Sequence, residues 1–407
     1  MIKEIHSAAC PEECLTAAGL DPDRVIYFDI ETTGFRPSTS QLYMIGWAVR
    51  ARAGDGPAGN GLAENGCGNW TVTQFLAENA SEEKLLLDLF TQQLCGYDTI
   101  VEFNGDRFDL PYLREKCSIH NMPDPFSGIR TVDLYQELKP CRTLLGLSRL
   151  NQKSVEQFLH ITREDPYNGG ELIDVYRRVR KDGCEGGEDS VRALFLHNYE
   201  DVLGMLAMTP VLSYPMIRCS RSPVTWRMTG HADARSTDSS SLQEEPERRL
   251  PADHLLQGHD AAGSEEPASL ELSFRLELPV PADIDTDTGL FRLRVRGKTV
   301  TVCIPLIRRT LRHFFPNYKD YYYLPEEDMA VHRSVAGFVD PGHRTKATAQ
   351  NCYVRKEGIF LPQPEETRRP SFRESVKDHI SWFELTDAFL EDPGAVSEYT
   401  HSLLSLI

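Results

Sequence analysis

The chain has 407 residues and a formal net charge of −17 at pH 7, with 61 acidic against 44 basic side chains. This length allows two or three domains, each with its own core. The acidic balance excludes a protein that coats nucleic acid over its whole surface, but it leaves room for a local basic groove. The chain has no run of 18 apolar residues, so no membrane span is predicted, and the charged N-terminus lacks the apolar segment of a signal peptide. The ten cysteines are scattered, which favours reduced thiols in a cytoplasmic protein.

The first half of the chain alternates between predicted strands and helices. Residues 1–24 are expected to form a helical lead-in, and residues 53–68, which are rich in Gly and Asn, a flexible hairpin loop. Apolar runs predict strands at 25–28, 42–49, 69–75, 99–103 and 131–135. Caps and periodicity predict helices from 81, near 110, and over 148–159, 169–179 and 189–208. This order predicts an α/β domain over 25–215, in which helices flank a mixed β-sheet.

The composition changes after this domain. His, Asp, Ser, Gln, Glu, Pro and Gly dominate residues 228–268, which predicts a disordered linker. Alternating apolar and polar residues then predict antiparallel strands at 270–278, 290–296 and 299–305. A helix is expected over 328–335 and a further strand over 351–355. The second half is therefore predicted to hold a smaller α+β module over 270–407.

Two carboxylates stand two residues apart at the end of the first buried strand. Because alternate side chains of a strand share one face, Asp29 and Glu31 are expected to project together. Adjacent buried carboxylates repel each other and lose hydration, so the pair suits a bound cation. Oxygen ligands alone favour Mg²⁺ or Mn²⁺ over zinc. The alternative is a strand that ends in an ordinary polar turn.

Further polar residues elsewhere in the chain supply partners for this pair. Asp109 follows a predicted strand and turn, and His197 and Asp201 lie four residues apart on one face of a predicted helix. Four acids with one histidine are sufficient to build a site for two divalent ions that cleave a phosphodiester. His197 is the candidate to orient or deprotonate the attacking water. The alternative for His197 is a surface histidine paired with Asp201.

Three segments together resemble the DEDD superfamily of ribonuclease H-like 3′–5′ exonucleases. They read Phe-Asp-Ile-Glu-Thr-Thr-Gly over 28–34, Asn-Gly-Asp-Arg-Phe-Asp over 104–109, and His-Asn-Tyr-Glu-Asp-Val-Leu over 197–203. Residues 22–212 are most similar to the bacterial YprB-type group of predicted exonucleases. The resemblance implies a ribonuclease H-like sheet, Mg²⁺ or Mn²⁺ as a pair of ions, and single-stranded DNA or RNA as substrate. It also implies that Asp29, Glu31, Asp109 and Asp201 hold the metal.

The general base is where this sequence departs from the resemblance. One DEDD subclass has a tyrosine four residues before the last aspartate, and the other has a histidine five residues before it. His197 stands four before Asp201, which is a mixed spacing. The resemblance also implies that Asn104 shapes the second motif and that Thr32 contacts the terminal nucleotide of the substrate.

The module over 270–407 has a local excess of basic residues. Residues 292–377 hold 17 Lys and Arg against nine Asp and Glu, interleaved with Tyr and Phe. This pattern is typical of single-strand binding, and the alternative is a solvated basic face with aromatics that fill a small core. Two functions therefore stay open for the chain, a metal-dependent exonuclease and a nucleic-acid-binding or assembly module with little or no activity. A metal-dependent hydrolase of small phosphodiesters is a third possibility.

Overall fold

The computed structural model describes residues 1–51, 68–182, 187–229 and 268–407. The loop predicted over 53–68 and the linker predicted over 228–268 fall almost wholly outside these residues. The chain divides into two compact units. The first comprises Met1–Met216 with Glu277–Ala282, and the second comprises Ile217–Leu276 with Asp283–Ile407.

The first unit is built on a six-stranded sheet with the order β1-β4-β3-β2-β5-β6. Four neighbouring strands, from β1 to β2, pair antiparallel, whereas β5 and β6 continue the sheet parallel to β2. The predicted mixed sheet flanked by helices is therefore confirmed. The strands are β1 (Ile2–Cys10), β2 (Val25–Thr32), β3 (Leu42–Arg50), β4 (Gly68–Leu76), β5 (Thr99–Glu102) and β6 (Arg130–Asp133).

The expectation of a wholly helical N-terminus is wrong, because residues 2–10 form strand β1. β1 pairs with β4 over its full length, from Ile2 opposite Leu76 to Cys10 opposite Gly68. Without β1, β4 would present an unpaired edge of backbone N–H and C=O groups. Pairing with a segment almost 70 residues away satisfies that edge, and local sequence carries no sign of it.

Helices cover the sheet on both faces. Apolar side chains of β2 and β3 pack with α2 and α3 in one core cluster, and Tyr43 and Met44 pack with α6 and α7 in another. The helices of this part of the chain are α1 (Glu12–Ala17), α2 (Glu83–Leu94), α3 (Asp109–Ile119), α4 (Leu134–Leu138), α5 (Gln152–Phe158), α6 (Gly169–Asp182), α7 (Glu188–Met208) and α8 (Ser213–Cys219).

Among the described residues, one helical stretch is both long and apolar. By length and hydropathy alone, Glu188–Cys219 would be sufficient to cross a membrane, although 61% of its most apolar window is buried within the structure. A helix that packs across a sheet is apolar for the same reason as a membrane span, since both lose contact with water. The prediction of no membrane span, which was made from the lack of a run of 18 apolar residues, stays a prediction.

The second unit is rich in antiparallel strands. Its largest sheet has the order β7-β8-β11-β10-β9, beside two three-stranded sheets, β12-β16-β17 and β14-β13-β15. The strands are β7 (Thr225–Thr229), β8 (Ser269–Arg275), β9 (Ile284–Asp287), β10 (Arg292–Arg296), β11 (Thr299–Pro305), β12 (Arg308–Phe314), β13 (Tyr321–Leu324), β14 (Met329–His332), β15 (Thr345–Lys346), β16 (Tyr353–Gln363) and β17 (Ser381–Glu384). The helices are α9 (Arg333–Ala336), α10 (Asp387–Leu390) and α11 (Pro393–Leu404).

The helix expected over 328–335 is wrong for most of its length, because β14 and the single turn of α9 occupy these residues. Many aromatics of this region contact one another. Phe315 stacks on Tyr321 with ring centroids 4.6 Å apart, and both pack on a small buried cluster around Cys352. On β10, Arg292 forms an ion pair with Asp285 at 2.5 Å. These contacts favour the alternative in which the aromatics fill a small core.

Candidate active site

Asp29 and Glu31 lie on β2, in the middle of the sheet. β2 is flanked by β3 on one side and β5 on the other, and its residues are almost all buried. Glu31 is 8% exposed, whereas Asp29 is partly exposed. The register with β3 shifts just after Glu31. A bulge of this kind re-aims the strand end, so the two carboxylates are the last side chains that the regular ladder positions.

Helix α7 brings three polar side chains against this strand. Asn198 Nδ2 donates to Asp29 Oδ2 at 2.9 Å, and Asn198 is fully buried. His197 Nε2 lies 3.4 Å from Glu31 Oε1 and 3.1 Å from Asp201 Oδ2. Since residues four apart share one helix face, His197 and Asp201 reach the carboxylates of β2 together. Asn198 was not singled out in the sequence, although it lies within the motif.

Asp109 is presented by the turn that follows β5. Asn104 has a left-handed backbone with φ 63°, and its N–H donates to Asp133 Oδ1 at 2.8 Å. Gly105 N–H donates to the side chain of Glu102. These bonds fix the turn, and Asp109 then begins α3. The role of Asn104 in shaping the second motif stays a prediction.

The charges of the predicted metal ligands shift one another's pKa values. Burial, followed by the charges of Asp201, Glu31 and Asp109, raises the pKa of Asp29 well above its ordinary value. Burial and the charges of Asp201 and Asp109 likewise raise the pKa of Glu31 well above its ordinary value. Burial, partly offset by a backbone hydrogen bond, raises the pKa of Asp109 to about 7. Such shifts arise where carboxylates are close together and lack compensating positive charge.

Asp201 differs from the other three acids because its carboxylate already contacts an arginine and a histidine. Burial raises its pKa, but the hydrogen bond and charge of His197 and the charge of Arg163 outweigh burial and lower the pKa overall. Arg163 Nη2 lies 2.6 Å from Asp201 Oδ1. Arg163 is itself held by Glu156, whose two oxygens lie 3.1 and 3.0 Å from Nη1, and the Glu156 side chain is 1% exposed.

His197 is oriented from its other nitrogen by Asp165. His197 Nδ1 lies 2.7 Å from Asp165 Oδ2, whose side chain is completely buried. Glu200, on α7, accepts the backbone N–H of Glu164 and Asp165 at 2.7 and 2.9 Å. Glu200 of α7 therefore positions the loop that carries Asp165, and Asp165 in turn orients His197 of the same helix. Burial lowers the pKa of His197, but the hydrogen bond to Asp201 and the charges of Asp201 and Asp165 raise it overall.

The donor set fits divalent cations. Asp29, Glu31 and Asp109 offer carboxylate oxygens whose pKa values are raised by burial and mutual repulsion, and a hard cation relieves both effects. Glu31, His197 and Asp201 have ligand atoms within 4.8 Å of one another. Asp201 differs because one of its oxygens contacts Arg163 and the other contacts His197.

Thr32 is the predicted site residue with least freedom. Its hydroxyl donates to Gly34 O at 3.0 Å, within its own turn. A contact with a nucleotide through the backbone N–H remains a prediction. The loop over 159–168, which carries Arg163 and Asp165, was missed completely, because it has neither strand nor helix periodicity. The only local signal was the density of charges in Arg-Glu-Asp at 163–165.

Comparison with known proteins identifies the domain that carries this site. Residues 26–212 match the family model described as the RNase_H superfamily. The ribonuclease H-like fold predicted for this part of the chain is therefore confirmed. No curated protein matches the chain.

Two solved structures are similar over about half of the chain. One is the family B DNA polymerase from the hyperthermophilic archaeon Pyrobaculum calidifontis, with 18% identity and a TM-score of 0.33 over 49% of this chain and 25% of that chain. The other is an ExoI/SSB-Ct complex, with 11% identity and a TM-score of 0.29 over 51% of this chain and 48% of that chain. The chain thus spans a quarter of the first structure and about half of the second.

Proposed function

Starting from an RNase H-like domain over residues 26–212, we propose that the chain is a metal-dependent 3′–5′ exonuclease that hydrolyses phosphodiester bonds of single-stranded DNA or RNA. The observation that carries the proposal is the cluster of Glu31, His197 and Asp201, whose ligand atoms lie within 4.8 Å of one another, beside the charges of Asp29 and Asp109. Asp29, Glu31, Asp109 and Asp201 would hold two Mg²⁺ or Mn²⁺ ions. When bound, such ions activate water and stabilise the leaving oxygen of a phosphodiester.

The side chains of the chain itself would do three things. Asn198 holds the carboxylate of Asp29 toward the site through the bond at 2.9 Å. Asp165 fixes the ring of His197 from Nδ1, so Nε2 faces Glu31 and Asp201. His197 would then orient the attacking water or accept its proton through Nε2. The histidine spacing that departs from both DEDD subclasses still brings the ring to the carboxylates.

A second candidate function has one observation in its favour. The ion pair between Arg163 and Asp201 at 2.6 Å gives one predicted ligand a competing partner inside the protein. A catalytically weak or inactive nucleic-acid-binding module would tolerate that pair permanently. An exonuclease requires Asp201 to exchange Arg163 for a metal ion.

End-labelled strands separate these candidates. Single-stranded DNA and RNA labelled at the 5′ end should give a ladder of progressively shorter products in Mn²⁺ and in Mg²⁺, whereas a 3′ label should be released as a mononucleotide. Asp29→Asn should abolish the ladder, because it removes a charged ligand while Asn keeps the size of the side chain.

The matched control for this test is Asp174→Asn. Asp174 is an exposed acid on α6 that pairs with Arg177 at the surface, so the variant should behave as the wild type. Binding without cleavage in both metals would favour the binding module. Cleavage of dinucleotides without action on longer strands would favour a hydrolase of small phosphodiesters.

A further inference from the structure

A cleft of about 550 Å³ opens directly beside His197 and Asp201. Its walls come from the turn after β5, from α4, from the start of α5, from the segment that leads into α6, and from α7. Besides His197 and Asp201, the lining includes two aromatics and two cations, Phe103, Tyr135, Arg107 and Lys153. None of these four side chains is needed to hold the predicted metal ions.

The two aromatics form a pair on one wall of the cleft. The rings of Phe103 and Tyr135 meet edge to face, with centroids 6.2 Å apart and an interplanar angle of 77°. Both side chains are partly exposed, so neither ring is consumed by a core. The guanidinium of Arg107 lies over the ring of Tyr135, 5.8 Å from its centroid. Partly exposed aromatics next to arginine are typical of proteins that stack unpaired nucleobases.

The cations of the cleft complement a phosphate chain. Arg107 is exposed, and the Lys153 side chain is 46% exposed while it pairs with Asp165 at 3.2 Å. Of the four predicted metal ligands, Asp201 lines this cleft, next to His197. A strand that enters this cleft would therefore place bases on the aromatic wall and phosphates near Arg107 and Lys153, with its end at the carboxylates.

We propose that Phe103 and Tyr135 are a base-stacking platform that holds unpaired terminal nucleotides of the substrate strand, flanked by Arg107 and Lys153 as phosphate contacts. The proposal rests on the proposed exonuclease function and gives it a physical source of strand specificity. A paired base is stacked inside a duplex and cannot lie on a protein ring. The platform therefore selects single strands, and pairing of the terminal nucleotides with a complement should abolish its contribution.

The test measures binding and turnover separately. Anisotropy of a fluorescein-labelled oligothymidylate is recorded in Ca²⁺, with gels to verify that the strand stays intact. Phe103→Leu and Tyr135→Leu retain apolar volume but lose the ring face. Each should weaken the Kd for the single strand by about 5- to 100-fold and raise KM more than it lowers kcat. The control is Tyr199→Leu, a partly exposed aromatic of α7 that packs on His6, and it should change neither.

A second strand with abasic sites at its last two 3′ nucleotides completes a double-mutant cycle. The wild type should bind the abasic strand more weakly than the intact strand. Tyr135→Leu should bind the two strands with nearly equal affinity, because the ring and the base act together. Arg107→Gln and Lys153→Gln should each reduce the slope of log K against log salt by about 0.7.

Two results would overturn the platform. The first is wild-type affinity and KM in both leucine variants, and the second is an equal loss for intact and abasic strands. If the wild type cleaves normally in either case, only the platform fails. A wild type that neither binds nor cleaves any strand would instead end the exonuclease proposal and the platform with it.

Discussion

Gly46 is the position at which a single methyl group should disrupt the site. It lies on β3 directly opposite Asp29 of β2. A Cβ atom at Gly46 would lie 2.1 Å from Asn198 Oδ1 and 3.3 Å from Val202 Cγ2, both on α7. No real Cβ contact is as short as the first distance, so Gly46→Ala must move Asn198 or the whole helix.

Asn198 has little room to move, because its amide is bonded on both sides. Its Oδ1 accepts from Gln74 Nε2 at 2.9 Å, and its Nδ2 donates to Asp29 Oδ2 at 2.9 Å. Overpacking of a core costs about 1–3 kcal/mol, and a buried amide that loses its partner costs about 1–3 kcal/mol more. We therefore expect Gly46→Ala to lower the free energy of unfolding by about 2–6 kcal/mol.

The same shift should reduce activity beyond its effect on stability. A displacement of α7 by about 1 Å would move Asp201 away from Asp29, and misplacement on that scale costs about 10²-fold in rate. Urea unfolding and turnover of an end-labelled strand, measured well below the unfolding midpoint, separate the two effects. Gly337→Ala is the control, since a Cβ there meets nothing within 4 Å. Wild-type stability and turnover in Gly46→Ala would refute the close approach of β3 and α7.

Three further predictions concern buried charges. The double substitution Glu156→Gln and Arg163→Gln removes the ion pair between Arg163 and Asp201. The affinity for Mn²⁺, measured by calorimetric titration, should then rise about tenfold. Unchanged affinity would show that Arg163 does not compete with the metal for Asp201. Glu102→Gln should stabilise the protein by more than about 1 kcal/mol at pH 8.5 but not at pH 4. Burial raises the pKa of Glu102 from 4.5 to about 9, so the wild type is fully stable below about pH 4.5 and loses stability as pH rises toward 9. Urea unfolding midpoints of both proteins at both pH values check this. An equal difference between the two proteins at both pH values would contradict it. Asp165→Asn should lower kcat about 10- to 100-fold with little change in Mn²⁺ affinity, and normal kcat would exclude a positioning role.

Local periodicity was sufficient to predict the parts of the site that lie on regular elements. Asp29 and Glu31 share a face because strand side chains alternate. His197 and Asp201 share a face because residues four apart on a helix are neighbours. Each prediction needed only a few consecutive residues. Their convergence in space was suggested by the resemblance and not by periodicity.

The remaining parts depend on contacts between distant segments. β1 becomes a strand because β4 offers it an edge, and its own sequence does not distinguish that outcome from a helix. Arg163 and Asp165 lie on an irregular loop whose position is set by Glu200 and Glu156. The hairpin between Tyr321 and His332 was missed because each of its strands has only four residues, too few to show a period.

The proposed function requires Asp29, Glu31, Asp109 and Asp201 to hold divalent ions together. The most direct measurement is the anomalous difference density of crystals of the full chain soaked in Mn²⁺. We predict peaks within ligand distance of Asp29 and Glu31, with Asp109 and Asp201 completing their coordination and Arg163 moved away from Asp201. Strong manganese peaks elsewhere on the molecule, with none among these four carboxylates, would contradict the account.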